Sequence, residues 1–261
     1  MRRVIILLLA VVVPAVVAGA GGGLIVRGRG FARLVKPWYS SSAYIASWNV
    51  KQWTNTTQLL DDSPAGLNYH LSNMPSVATG PISNGLYWTF DGVDDCFKAR
   101  PNTYFLNGMT GITMYAIIRC RTNANTLVEQ GIAGFFGSYY KRVFALVNGP
   151  QVGTLRAYVG DGSNYTSLGW AAMRTNVWWH CAITYRLGDV ARFWVNATNV
   201  VNGTVVGPIV QDGVFQIGKV DNWNYFDGDV ASVEILSNVC SSAGDITSHF
   251  QSTMSGGLPA R

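Results

Sequence analysis

The sequence predicts an all-β protein folded as a sandwich or a barrel. Short runs of β-branched and aromatic residues alternate with Asn, Gly, Asp and Ser, at intervals too short to hold helices. Many short strands at such spacing are typical of these two architectures. In the first clear strand, Leu86, Trp88 and Phe90 alternate with Tyr87 and Thr89, which is the period of a strand with one buried face.

The remaining elements follow the same pattern. Gly92 lies between Asp91 and Asp94, residue types that favour a tight turn. Further strands are predicted at residues 112–120, 131–136, 142–147, 155–159, 178–185, 191–195, 214–217 and 230–236. Residues 161–170 contain Gly, Ser and Asn and are predicted to form a loop.

One helix is predicted in the globular part, from Ser242 to Gln251. Ser242 is a favourable capping residue, and Ile246, His249 and Phe250 recur at the spacing of one helix face. We therefore expect this helix to pack against the β-structure.

The order of several motifs resembles the laminin-G-like members of the concanavalin A-like lectin/glucanase superfamily. These motifs are SAYIASWNV and LLDDSPAG at the start, FDGVDD and ITMYAIIRC in the centre, and WWHCAITY, ARFWVN, FQIG and FDGDVASVEIL towards the end. The resemblance covers roughly residues 42 to 250 and implies a two-sheet antiparallel jelly-roll sandwich. The superfamily contains both lectins and enzymes, so the resemblance does not settle the function.

The N-terminal residues contain a hydrophobic segment with two interpretations. A signal peptide would use residues 4 to 17 as its apolar core and Ala18-Gly19-Ala20 as its cleavage site. The 23 uncharged residues from 4 to 26 could also span a hydrocarbon core of about 30 Å as a transmembrane helix. Four basic residues soon after the segment are unusual for a cleaved signal and favour the transmembrane anchor.

This segment gives the predicted organisation of the chain. Residues 1–26 form the anchor or signal, 27–41 a basic juxtamembrane linker, 42–252 the jelly-roll domain and 253–261 a flexible tail. The net charge of +5 belongs to the N-terminal part, because residues 1–36 hold six of the 19 basic residues and no acidic one. The remaining 13 basic and 14 acidic residues balance, which gives no support for a nucleic-acid partner.

The four cysteines, Cys96, Cys120, Cys181 and Cys240, have no CxxC spacing, which makes a zinc site improbable. The favoured interpretation is buried free thiols, since cysteine packs as a small apolar residue. The topology implied by the resemblance makes a Cys120–Cys181 or a Cys96–Cys240 disulfide the alternative, for a domain outside the cytoplasm.

The sequence gives little support for catalysis. Jelly-roll glucanases need two carboxylates that flank the scissile bond, carried in an E-x-D-x-x-E pattern on one strand. This chain has only two glutamates, Glu129 and Glu234, and neither lies in that pattern. The three histidines adjoin no nucleophile motif.

Aromatic and amide side chains in turn-rich segments predict a sugar site. Sugar rings stack on Trp and Tyr, while Asn and Asp bind the hydroxyl groups, and such residues collect in loops at one edge of a sandwich. The candidates are Asp221, Asn222, Trp223, Asn224 and Tyr225 in one stretch, with Tyr139, Tyr140 and Tyr165 elsewhere.

Calcium is the only cofactor that the sequence suggests. Asp91, Asp94 and Asp95 could supply hard oxygen ligands. The favoured interpretation is that these aspartates only shape the turn through hydrogen bonds to backbone amides. Asp221, Asp227 and Asp229 form a second acidic set with the same two interpretations.

The predicted function is non-catalytic recognition or adhesion by a membrane-tethered domain that binds a carbohydrate or glycoprotein. We expect it at the cell surface or in a virion, or secreted if the leader is cleaved. The alternative is a structural protein that links a membrane to a shell, such as a minor capsid or surface-layer component with capsid proteins as partners. A glycoside hydrolase is the least favoured possibility.

Overall fold

A computed structural model describes most of the chain from residue 87 onwards. Full description covers residues 87–98, 104–121, 129–137, 143–149, 151, 153–205, 207–221 and 223–254, and four earlier strands are described by their backbone. The predicted hydrophobic segment and the basic linker lie outside the described residues. Within the described part, no helix has the length and apolar character needed to cross a membrane.

The described elements are almost all β-strands. In chain order they are β1 Tyr44–Asn49, β2 Gln58–Leu59, β3 Leu71–Ser72, β4 Ile82–Ser83, β5 Trp88–Asp91, β6 Phe97–Lys98, β7 Gly111–Cys120, β8 Gln130–Phe136, β9 Val143–Asn148, β10 Leu155–Gly160, β11 Tyr165–Trp170, β12 Trp178–Arg186, β13 Val190–Val195, β14 Thr198–Thr204, β15 Gln216–Ile217 and β16 Asp227–Ser237, followed by the helix α1 Ala243–Met254.

These strands form two large antiparallel sheets. The eight-stranded sheet has the order β14-β13-β12-β7-β16-β5-β4, with β1 also paired to β16. The six-stranded sheet has the order β11-β10-β9-β8-β15-β6, and β2 and β3 form a separate pair. The predicted all-β, two-sheet antiparallel sandwich is therefore confirmed.

The core lies between the two large sheets, and alternation along the strands creates it. In β7, Ile112, Met114 and Ile118 point into the core, while Tyr115 and Arg119 point to the opposite, outer face. Strand β10 does the same in the other sheet, with Leu155, Ala157 and Val159 buried in the same core cluster. Each sheet thus has one inner face and one outer face.

The predicted strands from residue 112 onwards are confirmed within a few residues, but the loop predicted for residues 161–170 is wrong. Tyr165–Trp170 is an edge strand, and Thr198–Thr204 is a second edge strand that the sequence analysis missed. Both are rich in Thr, Asn, Ser and Gly and are partly exposed. An edge strand has only one neighbour to pack against, so its sequence need not carry the usual apolar pattern.

The predicted helix is confirmed and covers the outer face of the eight-stranded sheet. Ile246 packs there with Tyr115, Ala182, Trp194 and Leu236. At the start of α1, Ser242 N donates to Asp245 Oδ2 at 2.8 Å and Asp245 N donates to Ser242 Oγ at 3.3 Å. This reciprocal pair is a capping box, which satisfies two otherwise unpaired amides.

All four cysteines are free thiols, and neither disulfide suggested by the resemblance is formed. Cys181 pairs in register with Ala116 in β7. Cys120 lies four residues beyond Ala116, so its Cα atom is about 13 Å from that of Ala116 at the rise of a strand. A disulfide needs Cα atoms within about 7 Å. Burial raises the pKa of the Cys120 thiol well above its usual range, so this thiol stays protonated.

Cys96 and Cys240 occupy different surroundings. The charged neighbours of Cys96 are Lys98, Lys219, Asp95 and Asp94. Those of Cys240 are Arg192, Asp189 and Arg186. The two sets share no residue, so the second suggested disulfide would join separate parts of the domain.

Candidate functional site

One row of residues crosses the outer face of the six-stranded sheet. Partners in an antiparallel pair lie on the same face, and the register places Gln216, Gly134, Ala145, Tyr158 and Ser167 in this row. The small residues Gly134 and Ala145 leave a shallow depression at the centre of the row. The larger side chain of Tyr158 borders this depression on one side.

The segment between β15 and β16 lies directly on this face. Gly131 N donates to Asn224 O at 3.0 Å, and Asn224 N donates to Glu129 O at 2.9 Å, so the segment is hydrogen-bonded to the start of β8. A Cβ atom at Gly131 would lie 2.2 Å from Val220 N. Only glycine allows the two backbones to approach so closely.

The close contact between the segment and β8 places Trp223 over the shallow depression at the centre of the row. Its ring lies 5.3 Å from that of Tyr158 and 5.3 Å from that of Phe136, and it packs on an apolar patch formed by β9. Tyr165 adds a fourth ring, 6.3 Å from Tyr158, and is 48% exposed. We call Phe136, Tyr158, Tyr165 and Trp223 the aromatic platform.

A charged group stands beside the platform. Glu129 Oε1 accepts a hydrogen bond from the Tyr158 hydroxyl at 2.6 Å and one from Arg156 Nη1 at 3.3 Å. Arg156 and Tyr158 share the outer face because they are two residues apart in β10. We call Glu129, Arg156 and Tyr158 the polar triad.

The protonation states of the polar triad follow from its geometry. Burial, and then the hydrogen bond to Glu129, raises the pKa of Tyr158. Its hydroxyl therefore stays protonated and donates a hydrogen bond to the carboxylate. The hydrogen bond to Tyr158 is the main cause that raises the pKa of Arg156, which stays charged. The side chain of Arg156 is 29% exposed, so part of the guanidinium faces solvent beside the platform.

The structure brings some of the predicted sugar-site residues together and separates others. Trp223 and Tyr165 belong to the aromatic platform, and Asn224 takes part through its backbone. Tyr225 instead has Lys219 Nζ 4.1 Å from its ring centroid. Asp221 has a φ of 42° and shapes the segment before Trp223. Three of the predicted residues, Asn222, Tyr139 and Tyr140, lie outside the described residues.

Sequence reasoning missed Phe136 and the whole polar triad, because it looked for the site in loops. The signal was present in the strand LRAYVG, where Arg156 and Tyr158 occupy the positions that alternate with the apolar core residues. Outward positions of a solvent-facing strand are ordinarily polar, so this alternation alone does not distinguish a site from ordinary surface.

The turn aspartates predicted as calcium ligands are used by the backbone. Asp91 Oδ1 accepts from Val93 N at 2.8 Å, and Asp95 Oδ2 accepts from Asp91 N at 3.0 Å. One carboxylate oxygen from each of Asp91, Asp94 and Asp95 lies within 4.8 Å of the others. The turn-shaping hydrogen bonds are present, and calcium binding stays a prediction.

Two members of the second acidic set, Asp227 and Asp229, are engaged in ion pairs. Asp229 Oδ2 lies 2.7 Å from Arg119 Nε, and Asp227 Oδ1 lies 3.0 Å from Arg121 Nη2. Arg119 lies in β7 and Arg121 directly after it, so these ion pairs link β16 to β7 and its end.

The two glutamates lie on opposite outer faces of the sandwich. Glu129 belongs to the polar triad on the six-stranded sheet, whereas Glu234 pairs in register with Tyr115 on the helix-covered face. The two sheets of a sandwich are about 10 Å apart. Paired carboxylates of glycosidases are separated by about 5 to 9.5 Å, so these two glutamates cannot act as such a pair.

Comparisons with known proteins agree with this architecture. Solved structures of similar fold include the binding domain of botulinum neurotoxin serotype D, with 15% identity, a TM-score of 0.62 and coverage of 82% of this chain and 53% of that one. A ligand-binding domain of the same serotype in complex with N-acetylneuraminic acid has 15% identity, a TM-score of 0.62 and coverage of 82% and 52%. The binding domain of Paraclostridial Mosquitocidal Protein 1 has 12% identity, a TM-score of 0.60 and coverage of 81% and 52%.

These likenesses establish a shared fold, and the chain spans about half the length of each structure. No curated protein sequence matches the chain. The family model described as the concanavalin A-like lectin/glucanases superfamily matches residues 100–245, which is more than half of the sequence. The protein therefore belongs to the concanavalin A-like lectin/glucanases superfamily.

Proposed function

We propose that this domain is a non-catalytic carbohydrate-recognition module and that the sugar binds on the aromatic platform beside the polar triad. The observation that carries the proposal is the combination, on one face, of partly exposed rings with a partly exposed guanidinium that the largely buried Glu129 carboxylate holds in place. Sites for small ligands combine aromatic surface with a few placed polar groups in the same way.

The rings would supply the apolar part of the contact. The C–H groups of a pyranose present a flat apolar surface that suits an aromatic ring. Trp223 is held between Tyr158 and Phe136, so its orientation is set before a ligand arrives. A preorganised ring loses little conformational entropy on binding.

The polar triad would supply the orientation of the sugar. The partly exposed guanidinium of Arg156 presents donors to the sugar hydroxyls, and the largely buried Glu129 accepts from Arg156 and fixes its position. Both groups already pair with each other and with Tyr158, so the charges are fixed and balanced. A neutral, hydroxyl-rich ligand fits such a balanced site better than a highly charged one.

Two comparisons support a binding role. The similar structures are binding domains by name, and one of them is in complex with N-acetylneuraminic acid. The opposite placement of Glu129 and Glu234 removes the one glutamate pair that could have supported glycoside hydrolysis. Both points favour recognition over catalysis.

A glycan array probed with the full chain tests this proposal, followed by titration with the best glycan. We expect Trp223→Ala to weaken binding at least about tenfold, which corresponds to about 1.4 kcal/mol. The matched control is Tyr87→Ala, which removes a half-buried ring that packs on Trp178 on the other sheet. Full affinity in Trp223→Ala, or no glycan bound by the unmodified protein, would exclude the platform as the site.

We also propose that the domain is tethered to a membrane by residues 1–26. The support is the sequence alone, with 23 uncharged residues followed by a basic linker. Intact mass and membrane partitioning of the natively produced protein test this tether. Loss of about the first twenty residues together with a soluble product would show a cleaved signal peptide instead. Copurification with a protein shell and no glycan binding would support the structural alternative.

A further inference from the structure

A chain of three ionisable side chains lies beneath α1 on the outer face of the eight-stranded sheet. His180 Nε2 lies 2.9 Å from His249 Nδ1, and His249 Nε2 lies 3.5 Å from Glu234 Oε2. His180 is fully buried and His249 is 2% exposed. His249 belongs to α1, whereas His180 and Glu234 belong to β12 and β16, so the chain joins the helix to the sheet.

The contacts fix where the protons sit at neutral pH. The carboxylate of Glu234 accepts, so His249 Nε2 carries a proton and its Nδ1, in the neutral ring, is an acceptor. His180 must then donate through Nε2, which leaves its Nδ1 without a proton. That Nδ1 is buried and has no hydrogen-bond partner among the described residues. An acceptor without a partner is tolerated more easily than a charged N–H donor in the same place.

While Glu234 stays ionised, one more proton has only one place to go on the two imidazole rings. The contact between the two rings needs one hydrogen, and the contact to Glu234 needs another. A third hydrogen must therefore lie on Nδ1 of His180, whichever ring carries the positive charge. At that position it would be a buried donor that no other described residue accepts, and a hydrogen bond to the backbone of His180 itself is the smallest of the three causes that set its pKa. Tyr115, stacked 3.9 Å from His249, restricts rearrangement of the second ring.

The other charged groups on this side do not compensate the added charge. Among the described residues, the charged side chain in contact with the pair is Glu234, and it contacts His249 rather than His180. The titratable and charged groups that the packed elements contribute, among the described residues, are Tyr115 and Arg119 from β7, His180 and Arg186 from β12, Arg192 from β13, Asp229 and Glu234 from β16, Cys240, and Asp245 and His249 from α1.

We propose that the His180–His249 pair is an acid-sensitive latch that holds α1 on the sheet when neutral and loosens it when a third proton enters. Loosening would uncover the apolar patch that Ile246 closes with Tyr115, Trp194 and Leu236. The device joins the sheet to α1 and acts at a distance from the open face, so it does not depend on the ligand of the aromatic platform.

The pH range follows from the direction of the shift. Burial, and then the neighbouring His249, lowers the pKa of His180 well below its ordinary value of 6.5. The opened state binds the proton near pH 6.5 and the closed state does not, so the closed state loses stability as the pH falls below 6.5. Above 6.5 the latch keeps its full stability.

Hydrogen exchange of the α1 amides in the full chain, held in detergent, tests the latch. After correction for the intrinsic rate, we expect protection of residues 246–253 to fall by about tenfold to thirtyfold between about pH 7.5 and pH 5, because each pH unit below 6.5 contributes a factor of ten for one proton. His180→Gln keeps a donor at the Nε2 position and cannot titrate, so its helix should keep its protection at pH 5.

A control variant and a second measurement complete the test of the latch. Tyr115→Phe removes the hydrogen bond from the hydroxyl to Ser241 Oγ but no titrating imidazole, so its pH response should match that of the unmodified protein. If His180→Gln does not fold, NMR spectra of the imidazole nitrogens in the unmodified protein test the proposal instead. At neutral pH they should show the proton of His180 on Nε2. A proton on Nδ1, or helix protection that does not change with pH, would overturn the proposal.

Discussion

The two outer faces of the sandwich differ in what covers them. On the eight-stranded sheet, α1 buries Tyr115, Trp194 and Leu236 completely or almost so. On the six-stranded sheet, the segment that carries Trp223 buries the apolar patch of β9 but leaves Tyr165 and Arg156 partly exposed. The helix closes the first face, and the second keeps aromatic and polar groups in contact with solvent.

The same residue types act differently on the two faces. Beside the open face, the largely buried carboxylate of Glu129 pairs with the partly exposed guanidinium of Arg156, so the two charges balance each other. Under the helix, a carboxylate instead pairs with a buried imidazole, and any added charge is costly there. Substitutions on the covered face should therefore change stability, and substitutions on the open face should change binding.

The largest expected effect is on the covered face. Ile246→Ala removes a fully buried side chain from the helix interface and should lower the free energy of unfolding by about 2–5 kcal/mol. Urea unfolding measures this change. Ser248→Ala, a half-buried position of the same helix, should change it by less than about 0.5 kcal/mol. Equal values for the two variants would contradict the claim that the buried apolar contact of α1 stabilises the covered face.

The second effect is on the open face. Glu129→Gln keeps the shape of the side chain but removes the charge that pairs with Arg156, and should weaken glycan binding about fivefold to tenfold, or about 1–1.4 kcal/mol. Titration calorimetry with the glycan selected on the array measures it. Glu234→Gln on the covered face should bind as the unmodified protein does at neutral pH. Weaker binding in Glu234→Gln would mean that the two faces are coupled.

A smaller effect measures how much the capping box at the start of α1 contributes to stability. Ser242→Ala removes one half of the capping box while leaving the buried contacts of α1 intact, and should cost about 1 kcal/mol of stability. Thermal unfolding and hydrogen exchange of the first helical turn measure this loss. A loss as large as that of Ile246→Ala would show that the cap, rather than the apolar contact, holds the helix.

The smallest expected effect separates the two interpretations of the turn aspartates. Asp91→Ala removes the acceptor for Val93 N and should lower stability by about 0.5–1 kcal/mol. If the aspartates only shape the turn, the loss is the same with calcium and with a chelator. A calcium-dependent rise in the melting temperature that Asp91→Ala abolishes would establish a metal site.

The sequence predicts the sandwich well because its central strands are strongly apolar. Trp88 and Phe90 in β5 show the period of two, whereas β7 is a continuous run that is buried on both faces. Strands β11 and β14 escape prediction because edge positions demand less apolar character. Local pattern alone identifies the elements that pack on both sides.

The site is predicted less completely, because it depends on register between strands far apart in the sequence. Trp223 and Tyr165 are recognisable as exposed aromatic candidates. Their contact with Tyr158, and the contact of Tyr158 with Glu129, follow only from how β8, β9 and β10 align. A single sequence contains no direct record of that alignment.

The close backbone contact at Gly131 has a consequence for engineering new specificity. Because a single added methyl group there would collide with the backbone at Val220, this position fixes the height of the overlying segment. The exposed side chain of Asn224 extends from that segment, and the hydrogen bonds to Glu129 and Gly131 use only the backbone of Asn224. A library at this position, with Gly131 and Asp221 left unchanged, would vary the side chain beside the aromatic platform while keeping those backbone bonds.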